Sequence, residues 1–254
     1  MFMRLLHMKI DAARMPELRE YYDQHVIPTL RSTVGCVFAG LIQSNEHHNE
    51  CLSMTLWTTQ TEAEQYGKGE SFRHMLKDAH AFLAESSEWK VQLSAELTLE
   101  TVPVIEEPTV KSYSLTSTTD EGMRDTAPAQ SLYVRVVIPS VREGLGEEFR
   151  RIYAEEVIPA LTGVKGCRYA FLSEAAGGKQ ELLSITIWDS AADAAEYEES
   201  ELFHNISLSL KHTFSELFQW KMGLERTKSH NVVTSEDSSV EHYQVISGAR
   251  FGSH

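Results

Sequence analysis

The chain has 254 residues, 42% hydrophobic and 24% charged, a balance typical of a soluble globular protein that is large enough to bury a core. Its formal charge of −14 argues against nucleic acid and against anionic membrane surfaces as partners. No apolar run approaches the length of a membrane span, and charged residues interrupt the N-terminal stretch too often for a secretion signal, so we expect a cytoplasmic protein.

The first predicted elements are a strand, a helix and two further strands. Residues 5–10 are apolar and β-rich and predict the opening strand. Apolar residues then recur every four positions, which is typical of a helix with one buried face; they are Leu18, Tyr22, Val26 and Leu30. Pro28 is expected to kink or end this helix, because proline lacks the N–H that an interior turn needs. Residues 37–42 and 51–57 predict the two strands that follow.

A second helix follows these strands. It begins with a capping signal, since the Thr59 hydroxyl can accept a hydrogen bond from a free backbone amide and the Glu62 carboxylate can accept one from the backbone amide of Thr59. We expect Gly67 and Gly69 to break this helix before Phe72 restarts it. A late extended segment then completes the order strand, helix, strand, strand, helix, strand.

The second half of the chain repeats the first at a displacement of 131 residues. Val26-Ile27-Pro28 matches Val157-Ile158-Pro159, and the match continues without a gap over about ninety positions, about a quarter of them identical. Other matched pairs are Arg4 with Arg135, Tyr22 with Tyr153, Gly35 with Gly166, Trp57 with Trp188, Tyr66 with Tyr197, and Phe72 with Phe203. A self-match of this length indicates an internal duplication.

The order of elements predicts the fold of each copy. Strand, helix, strand, strand, helix, strand is the ferredoxin-like arrangement, a four-stranded antiparallel sheet with both helices on one face. We predict an α+β protein with two tandem ferredoxin-like repeats, residues 1–117 and 131–247, joined by a polar linker over 118–130 and followed by a tail over 248–254. Each sheet has one bare face, so we expect the repeats to form an intramolecular pseudo-dimer, with further homo-oligomerisation left open.

The matched stretches also carry a family pattern. In the first repeat they are residues 22–30, the Gly35-Cys36 turn, Trp57 followed by two threonines, and residues 63–72, each with its counterpart in the second repeat. In these features each repeat resembles the antibiotic biosynthesis monooxygenase (ABM) domain of the dimeric α+β barrel superfamily. The resemblance implies a hydrophobic pocket between sheet and helices. Some family members use it for cofactor-independent oxygenation of quinols or polycyclic aromatics, and others degrade haem.

Three positions bear on the haem-degrading branch. The resemblance would place an asparagine on the first strand, a tryptophan at Tyr66 and a haem-ligating histidine at Leu76, or at Ser207 in the second copy. The sequence has none of the three. His80 lies one turn after Leu76 on the same helix face and is the remaining candidate ligand. Haem binding or degradation is therefore the weaker alternative, and we expect no cofactor.

Aromatic and apolar side chains are candidates for contacting a substrate. Trp57 and Trp188 end strands in both copies, where an aromatic residue ordinarily packs into the core but can also wall a ligand. Tyr66 and Tyr197 could donate a hydrogen bond to a substrate oxygen or pack at the pocket rim, and Tyr66 is also a catalytic candidate. The remaining substrate-binding candidates on the second helix are Phe72, His74 and Leu76.

Charged and titratable candidates lie on the first strands and the second helix. Arg4 and Arg135 alternate with apolar neighbours, where a cation must find a carboxylate or a ligand anion. The ordinary partners would be Glu17 and Glu148. His80 is the first candidate for a general base, because we expect it on the buried face of its helix; a core or boundary histidine is the alternative.

The sequence lacks the motifs that several other enzyme classes require. The sequence has no GxSxG, HExxH, GxGxxG or phosphate-loop motif, and its 3 cysteines match no metal-binding pattern, so we expect free thiols and no metal site. The leading hypothesis is a monooxygenase that encloses a hydrophobic aromatic or quinol-like molecule in the first repeat, with His80 or Tyr66 handling a proton. The alternative is a non-catalytic small-molecule binding or assembly module.

Overall fold

The computed structural model describes residues 1–93, 99–105, 108–118, 132–176, 181–215 and 240–251. The predicted linker lies outside these ranges except for Thr118, and so does the predicted tail beyond residue 251. The chain forms two compact units. One contains Phe2–Lys111 with residues 246–254, and the other contains Met1 with Ser112–Val245.

The strands of the first repeat form an antiparallel sheet with β3 in the middle. These strands are β1 (Phe2–Lys9), β2 (Cys36–Ser44) and β3 (Glu50–Trp57). In this sheet Arg4 of β1 and Ala39 of β2 both lie opposite Thr55 of β3. Two further strands, β4 (Glu85–Leu93) and β5 (Leu99–Ile105), form a two-stranded sheet, and β6 (Thr109–Thr118) follows.

The first helical segment does not end at Pro28. It runs through α1 (Met15–Tyr21), a π-helical turn (Tyr22–Val26) and α2 (Ile27–Arg31). The expectation that Pro28 would kink or end the helix missed this turn, in which the Ile27 N–H donates to the Tyr22 carbonyl. The wider turn relieves the clash that a proline ring otherwise makes with the carbonyl one turn earlier.

The second helical segment of the first repeat consists of α3 (Gln60–Lys68), α4 (Glu70–Ala79) and a short 3₁₀ turn (His80–Phe82). The predicted Thr59 and Glu62 capping box is present at the start of α3. The break falls at Gly69, whose φ of −74° and ψ of 160° are open to any residue. Ser200 makes the same break in the second repeat, at φ −75° and ψ 155°. Gly67, expected to contribute to the break, lies inside α3.

The second repeat reproduces the helical segments and the first three strands of the first. Its elements are β7 (Tyr133–Val137), α5 (Gly146–Ile152), a π-helical turn (Tyr153–Val157), α6 (Ile158–Thr162), β8 (Cys167–Ala175), β9 (Leu182–Trp188), α7 (Ala191–Glu199), α8 (Glu201–Leu210) and β10 (Val240–Arg250). Each helix begins and ends 131 residues after its counterpart, as the self-match predicts. The α+β class and the two ferredoxin-like repeats are confirmed.

The last strand of each repeat, β6 in the first and β10 in the second, pairs with a strand of the second repeat. In the second unit, β6 pairs with β8, with Tyr113 opposite Ala175, and β10 pairs with β7, with Tyr243 opposite Val134. In the first unit the end of the chain contacts β2, because the Phe251 N–H donates to the Val37 carbonyl at 2.9 Å.

Each repeat has its own buried core, and equivalent polar contacts occur inside each of them. The indole Nε1 of Trp57 donates to Thr55 Oγ1 at 2.9 Å, and that of Trp188 donates to Thr186 Oγ1 at 2.8 Å. The hydroxyls of Tyr22 and Ser53 lie 2.9 Å apart, and the equivalent Tyr153 and Ser184 lie 2.7 Å apart. The duplicated residues therefore include the polar pairs within each fold.

The turn before the second strand needs glycine in both repeats. Gly35 has a φ of +81° and Gly166 a φ of +78°, a region that is strained for other residues. A Cβ atom on Gly35 would also lie 2.2 Å from the Glu62 side chain, and one on Gly166 would lie 2.5 Å from Asp193. The capping acid of the following helix therefore packs directly against this turn.

The three cysteines are free thiols, as predicted. Burial raises the pKa of Cys36, Cys51 and Cys167 to about 12. They are therefore protonated and weakly nucleophilic near neutral pH. Among the helices of the described ranges, none has both the length and the apolar character required to cross a membrane.

Candidate functional site

A pocket lies in the first repeat, between the sheet and both helical segments. Its empty space, which includes a part open to solvent, is about 570 Å³. Strands β1 and β3 form one side, and α1 with its π-helical turn, α3 and α4 form the others. Most of its lining is aliphatic or aromatic. This lining is typical of a site for a small, largely apolar molecule.

Arg4 supplies the positive charge of this pocket. Arg4 is 9% exposed, and its Nη1 donates a hydrogen bond to the Ala63 carbonyl at 3.3 Å. The guanidinium carbon lies 4.6 Å from the ring centre of Phe72 and 5.4 Å from that of Tyr66, so both rings interact with the cation. Burial lowers the pKa of Arg4, because the cation has lost solvation.

No carboxylate in the described ranges forms an ion pair with Arg4. The expected partner, Glu17, instead pairs with Arg14 at 2.8 Å. Gly67 in α3 lies against the guanidinium, and a Cβ atom at this position would be 2.9 Å from both Nη1 and Nη2 of Arg4. The absence of a side chain at position 67 therefore leaves the space that the Arg4 guanidinium occupies beside the pocket.

The equivalent cation in the second repeat is neutralised. Arg135 is 8% exposed and forms an ion pair with Glu198 of α7, the residue that stands where the first repeat has Gly67. The expected partner, Glu148, contacts His212 at 3.0 Å instead. The guanidinium carbon of Arg135 lies 5.4 Å from the ring centre of Phe203, so the aromatic contact is kept while the charge environment differs.

Tyr66 presents a phenol to the pocket. Its ring lies 5.0 Å from that of Trp57 and 5.3 Å from that of Phe72. Burial raises the pKa of Tyr66 and the Arg4 cation partly opposes the rise, so the phenol is neutral near neutral pH. Its hydroxyl makes no hydrogen bond to the residues that the structure describes. Tyr66 is therefore a hydrogen-bond donor rather than a base.

Each tryptophan packs against the tyrosine of its own repeat. Trp57 is fully buried and is not among the residues that line the pocket. In the second repeat, Trp188 is also fully buried, with Tyr197 at 5.0 Å from it, and Tyr197 is 5.3 Å from Phe203. The tryptophans thus support the tyrosines, and the tyrosine of the first repeat is the one that lines the described pocket.

The second helical segment brings some predicted residues to the pocket and leaves others outside. Phe72 and Leu76 line it. His74 and His80 are exposed and do not. The expectation that His80 lies on the buried face is wrong, because α4 ends at Ala79 and that residue takes the buried position.

Several lining residues were not singled out from the sequence. Tyr22 and Ser53 form a hydrogen-bonded pair in the pocket wall, and Thr55, Met75 and Ala79 complete the lining beside them. The first pair had a signal, because both residues recur unchanged in the second repeat as Tyr153 and Ser184. Thr55 recurs in the same way, as Thr186. Met75 and Ala79 become Ile206 and Leu210 in the second repeat, so self-comparison does not single them out.

Larger residues occupy two of the corresponding positions in the second repeat. Leu18 corresponds to Phe149, which is 1% exposed, and Ala79 corresponds to Leu210, which is 6% exposed. Both are part of the second core. Ser207, which replaces Leu76, is smaller, but its hydroxyl is bonded to the Phe203 carbonyl of its own helix at 2.7 Å. Two positions that line the pocket of the first repeat therefore carry larger, buried side chains in the second.

No group of histidine, cysteine, aspartate and glutamate in the described ranges could hold a metal ion. The adjacent loop histidines, His47 and His48, are exposed and gather no third ligand among these residues. The pocket lining contains Arg4 and hydroxyl groups as its polar atoms, with no histidine in the described part of the chain.

The comparisons with known proteins agree with this fold. Residues 132–207 match the family model for antibiotic biosynthesis monooxygenase. A solved structure of a proposed monooxygenase from Fusobacterium nucleatum superposes with a TM-score of 0.69 at 8% identity, covering 99% of this chain and 94% of that one. One from Lactobacillus acidophilus gives 0.66 at 9% identity, with 99% and 96% covered.

An anthrone oxidase-like protein gives a TM-score of 0.54 at 16% identity, with 99% of this chain and 93% of that chain covered. No curated protein sequence matches the chain. At these identities the solved structures show the fold alone, and the family model adds a match over residues 132–207. Within the second repeat, residues 132–207 therefore match the antibiotic biosynthesis monooxygenase family, and both repeats have the ferredoxin-like fold, as the sequence predicts.

Proposed function

We propose that the protein is an ABM-type monooxygenase that oxygenates a hydrophobic aromatic substrate of the quinol or anthrone class in the pocket of the first repeat, without a cofactor. The observation that carries this proposal is the composition of the pocket wall. Aromatic and aliphatic side chains surround one buried cation, Arg4, and one phenol without a hydrogen bond to the described residues, Tyr66. The fold shared with an anthrone oxidase-like protein supports it.

An anthrone-type substrate supplies the electrons for this reaction itself. Its enol loses a proton to solvent, and the resulting oxyanion pairs with Arg4, because a nearby cation favours the ionised form. The carbanion form of this anion transfers electrons to O₂ and forms a C–O bond, giving a hydroperoxide after protonation. Loss of the remaining C–H proton and cleavage of the O–O bond give a ketone and water. One oxygen atom of O₂ enters the product and the other leaves as water.

The protein's contribution is binding, orientation and exclusion of water. The apolar wall removes solvent from the substrate ring, which strengthens the interaction between its oxyanion and Arg4. Tyr66 donates a hydrogen bond to an oxygen of the substrate. Because its pKa is raised, it acts as a donor and does not remove the substrate proton. In this proposal neither His80 nor His74 takes part, since both lie outside the pocket.

Oxygen uptake tests the proposal. The purified chain is mixed with a panel of anthrones and naphthoquinols, and O₂ consumption above the uncatalysed rate is expected for at least one of them. Tyr66→Phe should lower kcat at least about tenfold, because it removes a hydrogen bond to a charged oxygen. Tyr197→Phe in the second repeat is the matched control and should leave kcat unchanged. Uptake at the uncatalysed rate across the whole panel would contradict the oxygenase.

A non-catalytic binding module is the second candidate. It is favoured by the lack of an acidic or imidazole side chain among the described residues of the pocket wall. An absorption spectrum of the protein as recovered from cells separates the two, since a bound chromophore that O₂ leaves unchanged would indicate binding without turnover. A histidine-ligated haem does not fit the described pocket, because Leu76 faces it and His80 does not.

A further inference from the structure

We propose that the pocket of the first repeat selects aromatic oxyanions, that is, aromatic carboxylates or phenolates, and that the residue at position 67 makes it able to do so. The inference builds on the proposed function by naming the charge of the ligand. It concerns binding alone, so it can be tested in the absence of oxygen.

The two repeats differ in the charge that faces the buried arginine. A buried guanidinium requires a counter-charge or a set of polar contacts. The second repeat supplies a carboxylate, Glu198, to Arg135. Arg4 has the Ala63 carbonyl and the faces of Phe72 and Tyr66, and no ion pair in the part of the chain that the structure describes. An incoming anion would complete the pairing that the second repeat achieves internally.

Position 67 of the first repeat is a glycine inside α3. Glycine weakens a helix interior, and glutamate is a better helix former. The backbone at Gly67 is not in the left-handed region, so its conformation does not call for glycine. What glycine provides is space, because a Cβ atom would touch the Arg4 guanidinium. The second repeat has glutamate at this position, so the same change both frees the cation and makes room beside it.

The wall around the cation is aromatic and aliphatic. Tyr66 and Phe72 lie side by side next to Arg4, and Leu18 and Leu76 line the same pocket. A flat ring can contact this apolar surface while its acidic oxygen reaches the guanidinium, which presents several N–H donors. These features favour an aromatic acid over an aliphatic one or over a neutral ring.

Calorimetric titration under nitrogen tests the inference with matched ligands. The full chain is titrated with 2-naphthoate and with its neutral isostere 2-naphthamide, and the anion is expected to bind about tenfold more tightly because of its charge-assisted hydrogen bonds. A second arm compares 2-naphthol below and above its own pKa. Preference for the charged form in either arm supports the inference and identifies the acidic group. Equal affinities in both arms would overturn it.

Two variants tie this preference to the named residues. Arg4→Met should remove the preference for the anion while keeping the apolar contacts. Gly67→Glu should also remove it, by giving the first repeat the ion pair of the second, and circular dichroism checks that both variants are folded. If Gly67→Glu is folded and binds naphthoate as tightly as the original chain, position 67 does not control the site and the inference fails.

The reverse change in the second repeat is the control. Glu198→Gly frees Arg135, yet the larger core residues Phe149 and Leu210 stand where the first repeat has Leu18 and Ala79, so no second binding event is expected. Binding of the anion without oxygen uptake would leave this inference standing and reject the oxygenase. Oxygen uptake without preference for the anion would do the opposite.

Discussion

A Leu18→Phe/Ala79→Leu double variant is expected to lose ligand binding and oxygen uptake while keeping its fold. These substitutions install the side chains that the second repeat carries as Phe149 and Leu210. Both positions line the pocket of the first repeat, so the larger side chains occupy the volume that a ligand needs. Because they fill open space, the stability cost should stay below the 1–3 kcal/mol that overpacking typically costs. Calorimetry should show affinity reduced at least about a hundredfold.

The mirror variant, Phe149→Leu/Leu210→Ala, controls for this experiment. It opens the second core and should lower the free energy of unfolding by about 2–5 kcal/mol, while oxygen uptake by the folded protein persists. Full activity in the Leu18→Phe/Ala79→Leu variant would show that the pocket of the first repeat is not the site of the reaction.

Trp57→Ala is expected to lower the free energy of unfolding by about 3–5 kcal/mol. The indole is fully buried, its Nε1 donates to Thr55, and Tyr66 packs on it at 5.0 Å. Its removal leaves a cavity and takes away the support of a pocket residue. Urea denaturation measures the change. Trp57→Phe, which keeps a ring but loses the hydrogen bond, should cost less.

The duplication gives this stability prediction an internal comparison. Trp188→Ala removes an indole with the same burial and the same bond, to Thr186, and should destabilise the chain to a similar extent. The two differ in function, since Trp57 supports the pocket tyrosine. A loss below about 1 kcal/mol for either tryptophan would mean that these indoles are not the core anchors that their burial indicates.

Periodicity and self-comparison were sufficient to predict the fold of each repeat. Apolar spacing located both helical segments, and the displacement of 131 residues carried each boundary into the second half. The errors concern local backbone geometry. Pro28 is accommodated by a π-helical turn whose sequence pattern cannot be told from an ordinary helix, and the break at Gly69 also forms at Ser200.

The candidate site was predicted less completely. Arg4, Tyr66, Phe72 and Leu76 were named from the sequence and the structure brings them together. The prediction placed His80 on the buried face, but Ala79, one residue earlier, takes that position. One residue corresponds to a rotation of about 100° around a helix, so the His80 side chain faces solvent. The partner of Arg135 could not be predicted, because Glu198 reaches it only after α7 packs on the sheet. The open volume depends on Leu18 and Ala79, whose effect appears only in three dimensions.

Anomalous scattering from bromine locates the ligand site directly. Crystals of the chain soaked in 6-bromo-2-naphthoate are expected to show a bromine peak in the pocket of the first repeat, with the carboxylate on the Arg4 guanidinium and no peak beside Arg135. A bromine peak beside Arg135 would contradict the assignment of the functional site to the first repeat. So would crystals in which bromine occupies sites on the protein surface but not the pocket of the first repeat.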